Sequence, residues 1–165
     1  MLMFIVVLIM MLGFMAVLTR RKPRHPVIAI EYDVTGSNLA TFVEVMREDW
    51  KYLVDELKIT AHSGYLHHNG KPVLSIWGPG LHEDRHVPHD PAVARQMIEW
   101  FRTGAPPAYQ VTYMGGTPSR WRTLTNDARP DPGWADAYRM MDVVQPWVVG
   151  RYRDAAGVDR WKDDM

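Results

Sequence analysis

The stretch HEDRH at residues 82–86 matches the H-E-x-x-H pattern of zinc peptidases. In that pattern two histidines one helical turn apart bind the metal, and the glutamate acts as the base. A helix has little room here, because Gly78-Pro79-Gly80 precedes the stretch and Pro88 follows it. His89 is nearby, but no third ligand on a separate element is identified. We therefore interpret the stretch as a polar loop, expect no bound metal or cofactor, and keep a zinc peptidase as the remote alternative.

Polar and aromatic side chains end each of four apolar runs elsewhere in the chain. They are Asp33, Trp77, Tyr113 and Trp147. If these runs are parallel strands, the four side chains lie at one rim, which is where a (β/α)₈ barrel binds its substrate. Trp77 is then placed to offer its ring to a ligand where the strand stops. The alternative for Trp77 is a core aromatic that packs without a ligand.

The segments that position these side chains alternate between strand and helix patterns. The predicted strands are residues 27–32, 73–77, 109–114 and 143–148. The predicted helices are residues 38–57, 91–102 and 134–141. This alternation predicts parallel strands with helices outside them. An open doubly wound sheet shares it, but no glycine-rich phosphate motif follows any strand, and the residues at the strand ends favour part of a barrel.

Composition limits the functional class. The chain has 165 residues, of which 47% are hydrophobic and 23% are charged, as is usual for one globular domain. It has no cysteine, so disulfides, thiolate metal sites and cysteine nucleophiles are excluded. Its 19 basic and 19 acidic residues give a net charge of zero, which argues against a nucleic-acid partner.

The N-terminal segment is typical of a membrane anchor. Its first 18 residues carry no polar side chain and would form a helix of about 27 Å. We predict a transmembrane helix at residues 1–19 and a basic linker at residues 20–26, whose charges would keep the domain on the cytoplasmic side. Cleavage as a signal peptide would instead give a secreted protein. A wrongly assigned start codon is a third interpretation.

Four stretches in this order carry a resemblance to a known family: IAIEYDVTG, YLHHNGKPVLSIWG, GGTPSRWRT and DVVQPWVVGRY. Over residues 27–152 the chain resembles the family 71/99-like glycoside hydrolases, a group that includes endo-acting α-mannosidases. The resemblance implies a (β/α)₈ barrel that acts on or binds a glycan or oligosaccharide. The rim residues that it implies near the sugar are Asp33, Trp77, Trp121, Arg122, Trp147 and Arg151. Trp134, in contrast, is expected to pack inward from its helix.

The chain also departs from that family. The acidic motif expected on a late strand is missing, and four predicted strands are half of a barrel. We therefore predict a truncated, partial (β/α)₈ TIM-barrel-like fold over residues 27–165, with an N-terminal hydrophobic helix, that binds a glycan without measurable hydrolysis. Asp33 and Asp142 are expected at opposite ends of the sheet, so the catalytic residues stay unassigned. An inactive, membrane-tethered domain is the alternative, and the open strand edges favour self-association.

Overall fold

The computed structural model describes residues 27–148, 150 and 152–162. Strands and helices alternate through most of this part of the chain. They are β1 (Ile30–Asp33), α1 (Phe42–Asp55), β2 (His67–His68), β3 (Lys71–Trp77), α2 (Pro91–Glu99), β4 (Thr112–Thr117), α3 (Gly133–Arg139), β5 (Val143–Pro146) and α4 (Ala155–Lys162). The fold is therefore mixed α/β, as the sequence pattern predicted.

The main sheet has four parallel strands in sequential order. The order is β1-β3-β4-β5, and β2 adds a short antiparallel pairing to the start of β3. Ile30 pairs with Leu74 and Asp33 with Trp77, so β1 and β3 end at the same level. The predicted parallel and sequential pairing is confirmed. A closed barrel is not seen in the described residues.

Helices α1, α2 and α3 pack on one face of this sheet. The core that they form with it contains Tyr32, Leu74 and Ile76. Because side chains alternate between the faces of a strand, Glu31, Asp33, Ser75 and Trp77 lie on the opposite face. We call this opposite side the second face. Sequential strands joined by crossovers of one hand place their helices on the same side, so this layering follows from the strand order.

Helix α2 shows how local sequence determines an element. Asp90 caps the helix by accepting a hydrogen bond from the Ala92 amide at 2.7 Å, and Pro91 occupies the first turn, where its missing N–H costs nothing. One apolar face of the predicted helix 91–102 carries Ala94, Met97, Ile98 and Phe101, and all four are fully buried. Burial of each large side chain among them stabilises the fold by about 1.5 to 3 kcal/mol.

Several boundaries differ from the sequence-based expectation. The predicted strand 109–114 stops before the glycine pair at 115–116, but this pair lies inside β4. Helix α1 covers less than the predicted 38–57, and Leu39 and Leu57, which lie in the predicted range but outside α1, are 56% and 55% exposed. Helix α4 was not predicted, because its short segment has no clear apolar stripe.

The predicted membrane segment at 1–19 and basic linker at 20–26 lie outside the described residues. Within the part of the chain that the structure describes, no helix has the length and apolar character needed to cross a membrane.

Candidate functional site

Three of the predicted site residues meet at the carboxyl end of the sheet. Asp33 and Trp77 are register partners at the ends of β1 and β3. Trp147 directly follows β5, and its amide donates a hydrogen bond to the Thr117 carbonyl at 3.0 Å. Parallel strands in register place their carboxyl ends at the same end of the sheet, which is why residues far apart in sequence come together here.

Trp77 and Trp147 form an aromatic pair, which we call the tryptophan pair. Their ring centroids are 5.0 Å apart and the rings are inclined by 49°. Trp77 is half-buried, whereas Trp147 is 45% exposed. The pair therefore offers an apolar surface that is partly exposed to solvent at the carboxyl end of the sheet. Such a surface can pack against a ligand.

The carboxylate of Asp33 is held by the turn that follows β1. Its Oδ1 accepts hydrogen bonds from the Thr35 amide at 2.8 Å and from the Thr35 hydroxyl at 2.5 Å. An Asp side chain commonly forms such a turn by accepting a hydrogen bond from the backbone amide two residues further along the chain. Asp33 remains exposed, so its carboxylate is both oriented and accessible to a ligand.

His86 joins this cluster from the loop that contains HEDRH. Its Nδ1 lies 3.1 Å from the Thr35 hydroxyl oxygen, and because that hydroxyl donates to Asp33, it accepts from the histidine. His86 is 4% exposed, and its ring is inclined by 87° to that of Trp77, with 6.4 Å between ring centroids. Burial lowers the pKa of His86, and the nearby charges of Asp33 and Glu83 only partly oppose that shift.

The HEDRH segment of the same loop lacks the helix on which the zinc-peptidase motif places its two histidines. Residues 82–86 lie outside any helix, as we expected from the flanking glycines and prolines, but His86 is buried rather than solvated. His82 is exposed, whereas His86 faces Thr35. Within the described residues no group of three His, Cys, Asp or Glu side chains is arranged to hold a metal ion.

A second carboxyl group lies on the same face of the sheet as Asp33. The Ser75 hydroxyl donates a 2.7 Å hydrogen bond to Glu31 Oε2, which fixes that side chain across β1 and β3. Ser75 is buried and Glu31 is half-buried. Burial raises the pKa of Glu31, and the charge of Asp33 adds to the rise, while the bond from Ser75 opposes it.

The other predicted site residues do not all join the tryptophan pair. Trp121 lies edge-on against Tyr138 of α3, with ring centroids 6.2 Å apart. Arg122 is exposed on the same loop, and in the described part of the chain no ring contact or hydrogen bond joins either residue to the pair. Arg151 lies outside the described residues. Trp134 packs inward as predicted and is fully buried.

Asp142 lies at the amino end of the sheet, opposite to the carboxyl end where Asp33 lies, as expected. It accepts hydrogen bonds from the Tyr113 amide at 2.9 Å and from Arg102 Nη2 at 2.6 Å. Burial works against its charge, but these bonds outweigh burial and lower the pKa of Asp142. Its partners are structural, so Asp33 and Asp142 do not form a pair across one ligand.

Sequence reasoning missed Thr35, His86 and the contribution of Glu31. Thr35 and His86 are 51 residues apart in the chain, and no local pattern links them. The HEDRH motif pointed to His86 as a zinc ligand. The geometry of the loop does not favour that role. Glu31 had a usable signal, because it precedes Asp33 by two residues on the same predicted strand.

Comparison with known proteins identifies no relative of this chain. No family model matches the sequence, and no curated protein or solved structure matches it either. The resemblance to family 71/99-like glycoside hydrolases therefore depends on four short sequence stretches.

Proposed function

We propose that this chain binds a glycan at the carboxyl end of its parallel sheet. The observation that carries the proposal is the tryptophan pair, with ring centroids 5.0 Å apart, beside Asp33, the register partner of Trp77. An aromatic surface next to an oriented carboxylate suits a sugar, which presents apolar C–H faces and hydroxyl donors together. The resemblance to glycoside hydrolases points to the same class of ligand.

The polar part of the site matches hydroxyl groups. An ionised carboxylate offers about four acceptor positions, and Thr35 occupies two of those on Asp33. The remaining positions are available to two sugar hydroxyls. Since the backbone amide of Thr35 fixes the carboxylate, little side-chain freedom is lost when the sugar binds.

The finer architecture is part of the proposal. We propose that residues 27–165 are a partial (β/α)₈ barrel in which Trp121, Arg122 and Arg151 extend the sugar site. Self-association through the outer strands β1 and β5 would cover the open edges. An inactive glycan-binding domain is the alternative to an enzyme, and it shares the same binding site.

A titration of intrinsic tryptophan fluorescence tests glycan binding. The probes are mannose and glucose oligosaccharides, including fragments of α-mannan. Trp147→Ala should weaken binding at least tenfold, because the exposed half of the aromatic surface is lost. Tyr52→Ala is the matched control, since Tyr52 is 53% exposed and lies on α1 rather than at the carboxyl end of the sheet. Equal binding by the two variants, or no binding by the unmodified chain, contradicts the proposal.

We further propose that residues 1–19 tether the domain to a membrane. The apolar run and the basic residues that follow it support this placement. Alkaline carbonate extraction of expressed full-length chain is the test. Retention in the membrane pellet is the expected result, and recovery of the uncleaved chain in the soluble fraction would refute the anchor. A shortened soluble chain would indicate the secreted alternative.

A further inference from the structure

We infer that a cavity at the amino end of the sheet binds a phosphate group. This site is separate from the proposed glycan site, which lies at the carboxyl end, and it does not depend on that proposal. The cavity has a volume of about 160 Å³, and its lining includes His68, Asn69, Lys71, Arg102, Thr112 and Asp142. One water molecule takes about 30 Å³ of liquid, so this volume holds about five waters and has room for one phosphate group.

The cavity lies where three neighbouring strands of the sheet begin. Lys71 is the first residue of β3, Thr112 is the first residue of β4, and Asp142 directly precedes β5. The Thr112 hydroxyl donates a hydrogen bond to the His68 carbonyl at 2.8 Å, which ties the turn between β2 and β3 to β4. His68 and Asn69 in that turn are exposed, so the cavity is open to solvent there.

The Lys71 ammonium is held in a fixed position at this cavity. Its Nζ donates hydrogen bonds to the Arg102 carbonyl at 2.8 Å and to Gln110 Oε1 at 3.0 Å. Gln110 is itself fixed, because its Nε2 donates to the carbonyls of Thr103 and Ala105. An ammonium has three N–H donors, so one donor of Lys71 is left for a ligand. Because the side chain is already ordered, little freedom is lost when a ligand binds.

The positive charge of Lys71 is not neutralised by a direct ion pair. Both of its acceptors are neutral oxygens, the residue is half-buried, and among the described residues no carboxylate lies within ion-pair distance of its Nζ. Taking a charge partly out of water without an opposite charge is unfavourable. An anion in the cavity would supply that opposite charge.

Arg102 adds a second cation, whose charge is shared with Asp142. Its Nε and Nη2 donate to Asp142 Oδ1 at 3.0 and 2.6 Å, and the other carboxylate oxygen accepts from the Tyr113 amide. Arg102 Nη1 makes no hydrogen bond within the part of the chain that the structure describes. Two cations and one carboxylate therefore leave the cavity with one net positive charge.

These groups suit a phosphate better than a carboxylate ligand. A phosphate group offers three strong acceptor oxygens and carries about 1.5 to 2 negative charges near pH 7. Lysine binds such a group as a point charge, and the free N–H groups of an arginine can bind a second oxygen. The opening at the turn between β2 and β3 would let a phosphate ester extend into solvent.

Isothermal titration calorimetry of the purified full-length chain with inorganic phosphate at low ionic strength tests the site. We expect one phosphate per chain with a Kd of about 1 mM or tighter, which is within the affinity that so small a ligand can reach. Lys71→Gln should weaken binding at least about tenfold, because the unpaired charge is lost. Lys51→Gln is the matched control, since Lys51 pairs with Glu48 on α1, and it should leave the affinity unchanged.

Asp142→Asn should change phosphate affinity in the opposite direction. The substitution removes a negative charge that repels the anion and leaves Arg102 free to bind it, so phosphate should bind at least about threefold more tightly. Weaker binding in this variant would contradict the charges that we assign to the site.

Two further ligands identify what the site takes. Acetate, with one charge and two oxygens, should bind at least about tenfold more weakly than phosphate. Glycerol phosphate bound more tightly than inorganic phosphate would identify a phosphorylated molecule as the ligand. The reverse order would identify free phosphate, and both orders support the site.

The other outcomes overturn the inference. No phosphate binding by the unmodified chain does so directly. Equal affinity in Lys71→Gln and Lys51→Gln, or acetate bound as tightly as phosphate, would indicate an adventitious ion only. If Lys71 serves only to hold the carbonyl beyond α2, Lys71→Gln should lower the free energy of unfolding in urea and leave phosphate affinity unchanged. Glycan affinity in Lys71→Gln should stay within about threefold, because the two sites are far apart, so either proposal can fail without the other.

Discussion

Trp77 lies across the backbone of Gly116, its neighbour on β4. A Cβ atom at position 116 would be 2.3 Å from an atom of the indole ring, which is much closer than real contacts allow. The glycine therefore makes room for the ring to reach over β4 toward Trp147. This explains why Gly116 lies inside β4, although glycine weakens a strand, whereas a Cβ at the neighbouring Gly115 would meet the side chain of Met141.

Gly116→Ala should displace the Trp77 ring and reduce glycan affinity at least tenfold. It should also lower the free energy of unfolding by about 1 to 3 kcal/mol, which is typical of overpacking. Urea denaturation and the fluorescence titration measure the two effects. Gly104→Ala is the control, because a Cβ there would make only ordinary contacts of 3.5 Å or more. Unchanged affinity in Gly116→Ala would show that the position of Trp77 does not matter for the ligand.

The buried imidazole of His86 should make stability depend on pH. Burial lowers its pKa below the ordinary value of 6.5, so below that pH the unfolded chain binds more protons than the folded chain. Stability from this group is therefore present above about pH 6.5 and is lost as the pH falls below it. His86→Gln should flatten that part of the stability curve, as measured by urea denaturation from pH 5 to pH 8.

His82→Gln is the matched control for this measurement, because His82 is exposed on the same loop. It should keep the pH dependence of the unmodified chain. Equal slopes for His86→Gln and the unmodified chain would mean that another group causes the loss of stability in acid.

The sequence predicted the parts of the fold that depend on local periodicity. Met97, Ile98 and Phe101 are buried as their spacing required, because a helix of that period has one apolar face. The meeting of Asp33, Trp77 and Trp147 was also predictable, since parallel strands end at one edge. These inferences need only the type and order of the elements.

Contacts made by loops were not predictable in the same way. The surroundings of Trp121 could not be predicted, because its loop has no periodic pattern; in the structure its ring packs against Tyr138. His86 reaches Thr35 because the loop folds back over the end of β1, where the Gly36 amide bonds to the Arg85 carbonyl. A sequence carries no simple signal for such long-range pairing.

Asp142→Asn tests whether Asp142, at the amino end of the sheet, contributes to stability rather than to glycan binding. The change removes a charged partner of Arg102 at a partly exposed site, so the free energy of unfolding should fall by about 1 kcal/mol. The pKa of Asp142 is lowered in the folded chain, so its contribution is present above the ordinary value of 3.8 and is lost as the pH falls through the lowered pKa. Glycan affinity should not change, and Asp136→Asn, which breaks a more exposed pair with Arg139, should barely affect stability. A tenfold loss of glycan affinity in Asp142→Asn would show that the glycan binds at the amino end of the sheet, which would contradict the proposed site.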